Sequence, residues 1–120
     1  MIEFMPESDR NIVGIRASGR LTDADYKRDL IPRLESLFNQ FGQLSILLFL
    51  EESFEGWDLQ AAWDDASLGI RHRADFDKIA VVGAPAWVER CISLAGFLMK
   101  GEIRTFRSDQ LIAAWKWIRG

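Results

Sequence analysis

The sequence predicts an α/β domain with a mixed, mainly parallel five-stranded sheet and four main helices, in the order ββαβαβαβα. Three observations lead there. Leu44 to Leu50 (LSILLFL) is apolar at every position except Ser45. A strand without alternation is covered on both faces, as in the middle of a parallel sheet. Lys78 to Gly83 (KIAVVG) reads as a second short buried strand. Around these strands, apolar residues recur every three or four positions, which is the spacing of crossover helices.

The elements follow in order. Ile2 to Met5 reads as a short first strand, Pro6 to Asn11 as turn chemistry, and Ile12 to Ser18 as the second strand of an opening hairpin. The first helix begins near Leu21, with Thr22 or Asp23 as N-cap. Its apolar stripe is Tyr26, Leu30, Leu34, Leu37, Phe38 and Phe41. Pro32 lies inside that stripe and removes a hydrogen bond to the Arg28 carbonyl, so the helix should kink or divide there. Gly42 suits its C-cap. After the buried strand comes an acidic loop, Glu51 to Gly56. A second helix follows from Gly56 and Trp57, with Leu59, Ala62, Trp63, Ala66 and Ile70 on one face. Its end carries Arg71, His72 and Arg73, with His72 read as solvated.

Beyond Lys78 to Gly83, Pro85 opens a third helix from Trp87 to Lys100 that is apolar around most of its circumference. Glu102 to Phe106 alternates as an edge strand does. Ser108 caps the last helix, with Leu111, Ile112, Trp115 and Ile118 inward and Trp117 pointing away from the core.

Composition narrows the function. At 120 residues the chain is read as one domain, 1–120, with 48% hydrophobic residues to build its core. A net charge of −3 lacks the basic stripe of a nucleic-acid binder. The single cysteine, Cys91, has no internal disulfide partner and points to a reducing cytoplasm. No targeting signal or spanning segment is visible, so the expected place is cytoplasmic, with peripheral membrane contact as the one extension. Phosphate-binding glycine motifs are absent, and one histidine with one cysteine makes a poor zinc site. No cofactor, metal or catalytic set is implied.

The stretches VGIRASGRLTDADY, AWVERCISLAGFLMKG and GEIRTFRSDQLIAAWKWI, taken together, resemble the bacterial SpoIIAA-like family of small stand-alone proteins. Those proteins have the STAS-type fold of sulfate transporters and anti-sigma-factor antagonists. The resemblance spans essentially the whole chain and implies a STAS/SpoIIAA-like sheet. It also implies a hydrophobic cavity, membrane contact and, through similarity to lipid carriers of the CRAL-TRIO type, movement of the second and third helices. Signalling members of the wider fold carry a phosphorylatable Ser or Thr after the third strand. Ser53 is the corresponding residue here, but Glu51, Glu52 and Glu55 around it would repel a phosphate.

The residues themselves point to apolar binding rather than chemistry. Cys91 lies among apolar neighbours without an activating group. The acidic loop reads as a solvated rim, although its carboxylates leave room for acid/base work or a hard cation. Phe54, Trp57, Trp63, Trp87, Cys91, Phe97 and Leu98 are the candidate lining of a ligand site. The expected occupant is a hydrophobic or amphipathic small molecule. Core packing, a homodimer interface and a membrane surface would use the same side chains. The expected function is therefore a non-enzymatic binding protein for a lipid-like ligand. Its alternative is a signalling or protein-interaction domain of the anti-sigma-factor-antagonist type.

Overall fold

The computed structural model describes residues 1–72, 74–95 and 101–120, with the backbone alone at 91 and 93–95. Its main sheet has five strands: β1 (Ile2–Phe4), β2 (Ile12–Ala17), β4 (Leu44–Leu50), β6 (Phe76–Val82) and β7 (Glu102–Phe106). They lie in the order β1-β2-β4-β6-β7. Only β1 runs antiparallel, as the hairpin partner of β2. The mixed sheet and the element order expected from the sequence are both present.

Two further strands were not anticipated. β3 (Arg20–Leu21) and β5 (Gly56–Trp57) form a separate parallel pair, Arg20 opposite Gly56 and Leu21 opposite Trp57. Trp57 therefore belongs to an extended segment and not to the second helix. The helix, α2 (Leu59–Arg71), starts later, where the Asp58 carboxylate accepts from the Ala61 N–H at 2.8 Å.

The first helix runs unbroken through its proline but changes pitch just ahead of it. Thr22 and Asp25 cap each other's backbone N–H groups, at 2.8 Å from Thr22 N to Asp25 and 3.3 Å from Asp25 N to Thr22. Asp25–Leu30 then forms a π-helical segment, and Pro32 falls in the first turn of α1 (Ile31–Phe41). The wider π turn accommodates a residue that has no N–H to donate. Gly42 ends α1 with a φ of 82°, in the region that favours glycine.

The central strand is buried on both faces and separates two cores. On one side lies α4 (Leu111–Arg119), which follows a short 3₁₀ turn at Ser108–Gln110. Met5, Leu47, Ala80, Val82, Ala114, Trp115 and Ile118 pack there. The approach is close: a Cβ on Gly14 would stand 2.7 Å from the Trp115 ring. Ile112, expected inward, is exposed. Trp117 covers the β7 edge against Phe106, with Lys78 and Arg104 over its ring.

The other face is covered by the first helix, α2 and α3 (Ala86–Ala95). The part of the expected third helix beyond Ala95 lies outside the described residues. His72 is not a solvated helix end. Its ring stacks on Phe38 at 4.1 Å, and its two nitrogens meet Asp75 at 2.9 Å and Glu35 at 3.0 Å. That contact fixes the end of α2 to α1.

Candidate functional site

The two faces of the sheet are filled differently. On the α4 side small residues let helix and sheet meet, whereas α2 and α3 stand off the opposite face. The reason lies in how α2 is oriented. Its large apolar side chains Leu59, Trp63 and Ile70 point outward, 90%, 69% and 60% exposed. Its buried side carries Ala61, Asp64 and Leu68, and along its flank Ala62, Asp65, Ala66 and Gly69 line the space beside the helix. Small side chains at positions i, i+4 and i+7 form one stripe of the helix and leave the space in front of them empty.

That space is a cavity of about 530 Å³. Its floor is the sheet, including Ile15, Ile46, Leu48, Ile79 and Val81. Its sides are Leu30 and Leu34 from the first helix and Val88 and Ile92 from α3. Sites for small molecules typically occupy about 300–1,000 Å³ and carry a few polar groups on apolar walls. This cavity has that character.

The polar groups form a chain at one end. β5 presents Trp57, whose Nε1–H donates to the Tyr26 hydroxyl at 2.6 Å. Tyr26 in turn donates to Asp65 Oδ1 at 2.8 Å. All three side chains line the cavity. Asp65 is reached by solvent through the cavity but is otherwise ringed by protein. That desolvation pushes its carboxyl above the usual range, and the Tyr26 hydrogen bond pulls it partly back. Burial, then the neighbouring Asp65 charge, holds the Tyr26 hydroxyl well above the ordinary tyrosine value.

A second polar contact lies beside the first. Asp64 is buried, and its carboxyl shares a hydrogen bond with Asp23. That bond, with desolvation, raises Asp64, and the same bond lowers Asp23. Together with the Tyr26–Asp65 bond, this contact ties α2 to the start of the first helix.

The residues expected to line a site are dispersed. Trp57 and Trp87 reach the cavity wall, with ring centroids 5.9 Å apart and edge to face. Phe54 packs edge to face on Trp57 at 5.1 Å but is not on that wall. Trp63 faces outward. Phe97 and Leu98 lie outside the described residues, as does the Cys91 side chain. Tyr26 and Asp65 were not among the expected lining. The available signal was the small stripe Ala62, Ala66 and Gly69, which carries an aspartate within it.

The acidic loop is a different place. Ser53 sits in an exposed turn after β4, and Glu51 pairs with Arg16 Nε at 3.3 Å. An open hollow of about 550 Å³ adjoins it, lined by Leu50, Glu51, Glu52, Gly83 and Ser108 among others. Among the described residues no three His, Cys, Asp or Glu side chains gather as a metal site would need. No helix formed by those residues is long and apolar enough to cross a membrane.

Comparison with known proteins agrees with this architecture. No curated protein matches the chain. Among solved structures, the chain is similar to an uncharacterized protein of the DUF3478 family with a SpoIIAA-like fold, from Shewanella loihica PV-4. The two share 27% identity with a TM-score of 0.79, over 98% of this chain and 93% of that one. A family model described as SpoIIAA-like matches residues 12–119. The fold is thus that of the STAS-type domains, and the chain belongs to the SpoIIAA-like family.

Proposed function

We propose that this chain is a non-enzymatic binding protein for a hydrophobic, lipid-like ligand, held between the sheet and the helices α2 and α3. The observation that carries the reading is the apolar cavity of about 530 Å³ behind the small-residue wall of α2. Filling such a space with side chains would favour stability, since each unfilled volume forfeits packing energy. A chain that instead turns Leu59, Trp63 and Ile70 outward and sets the small residues Ala62, Ala66 and Gly69 along the cavity has room for a guest.

The outward stripe supports the second half of the reading, contact with a membrane surface. Leu59, Trp63 and Ile70 lie on one side of α2, and Trp87 on α3 is also exposed. Ligand exchange would then accompany a shift in the population of arrangements in which α2 and α3 separate. Native mass spectrometry and organic extraction of the purified protein test the first half. A retained apolar molecule is the expected result. If nothing is retained and phospholipid vesicles leave tryptophan fluorescence unchanged, the reading fails.

Family membership favours a second reading, a protein-interaction domain of the anti-sigma-factor-antagonist type that uses the same exposed stripe. Its test is whether kinase treatment places a single phosphate on Ser53, which lies in the exposed turn after β4.

A further inference from the structure

We infer that the cavity selects an apolar-tailed molecule whose head is a hydrogen-bond donor, neutral or cationic, and discriminates against a carboxylate head. The inference rests on the binding reading above and specifies the ligand chemistry of the same cavity.

The walls supply the argument. Among the described residues that line the cavity, Asp65 is the one charged side chain. Of the other polar atoms, the Trp57 Nε1–H is taken by Tyr26, and the Tyr26 hydroxyl hydrogen is taken by Asp65 Oδ1. The donor that remains on that wall is the indole N–H of Trp87, a residue 46% exposed. The one charged group there supplies acceptor capacity, because an ionised carboxylate accepts through two oxygens and donates nothing. Among the described residues, only Tyr26 bonds Asp65, and it does so through Oδ1.

An incoming alcohol or ammonium group can donate to the second oxygen, a charge-assisted bond of the stronger kind. A carboxylate head meets the opposite situation. It brings a second negative charge beside Asp65 and finds no described cationic side chain on the walls. One of the two carboxyls would have to take up a proton, at a cost in affinity.

The test is a binding panel of three probes with the same tail, 1-dodecanol, dodecylamine and dodecanoate, titrated into the full chain. The alcohol and the amine are expected to bind at least about tenfold more tightly than the carboxylate. Asp65→Asn keeps an oxygen for Tyr26 and removes the charge, so it should erase the amine's advantage and improve dodecanoate binding. Equal or tighter binding of dodecanoate by the natural chain overturns the inference and leaves the cavity reading standing. Failure of all three probes to bind overturns both.

Discussion

The Tyr26 hydroxyl donates to Asp65 at 2.8 Å while accepting from Trp57 at 2.6 Å, so one phenol joins the first helix, α2 and the short strand β5. Replacing Tyr26 by Phe removes both bonds and leaves a buried indole N–H and a desolvated carboxyl without their partner. The expected loss is about 1–3 kcal/mol of stability, read from urea midpoints. Unchanged stability would mean that this junction does not hold α2.

Tyr26 is the chain's single tyrosine, so ultraviolet absorbance of tyrosinate reports it alone. Burial and then Asp65 raise its ionisation above the ordinary 10.0. The neutral phenol is thus favoured by the fold. The stability it contributes is present below pH 10.0 and is lost as pH rises towards the folded value. Tyrosinate should therefore appear only together with unfolding in an alkaline titration. A normal titration in the folded protein would contradict the assignment.

Asp65 has the same sign with a different window. Desolvation, partly opposed by Tyr26, raises its carboxyl above 3.8. The folded state therefore holds that proton more tightly than the unfolded chain does. Stability is favoured below pH 3.8 and is lost as pH rises through the folded value. Asp65→Asn should melt higher than the natural protein at neutral pH, and the difference should shrink on acidification. A variant that melts lower at neutral pH would contradict this.

Two glycines make a contrast in packing. Gly14→Ala would push a Cβ to 2.7 Å from the Trp115 ring, and overpacking of this kind costs about 1–3 kcal/mol. At Gly69 an added Cβ meets nothing within 4 Å, and the site is inside α2. Gly69→Ala should therefore stabilise by about 0.5–1 kcal/mol. Denaturation of both variants checks the pair. Equal effects would contradict the difference in packing between the two faces of the sheet.

The exposed side of α2 makes a prediction about surfaces. Replacing Leu59 and Trp63 by Ser removes apolar area from solvent-facing positions and should leave the melting temperature nearly unchanged. Partition onto phospholipid vesicles should fall about tenfold or more. Undiminished partition would remove α2 from the contact.

What the sequence conveyed depended on periodicity. The unbroken run Leu44 to Leu50 marked a strand covered on both faces, and the structure has β4 there with the same bounds. Pro32 announced an irregularity in the first helix, met by the π-helical segment ahead of it, because the missing N–H is a local fact. The site was less legible. Leu59, Trp63 and Ile70 carry the helical spacing of a core stripe, and burial is not written in spacing alone. Trp57 was read into the helix because β5 is two residues long and exists through its pairing with β3. Tyr26 and Asp65 are separated by 39 positions, and only the fold brings them together.

The space beside Ala66 receives an apolar guest in the proposed function. Titration calorimetry of 1-dodecanol into the natural chain and into Ala66→Phe tests it most directly. The phenyl ring projects from the cavity wall and should block binding while the protein stays folded. One molecule should bind to the natural chain and none to the variant. Equal binding by both, or no binding by either, would contradict it.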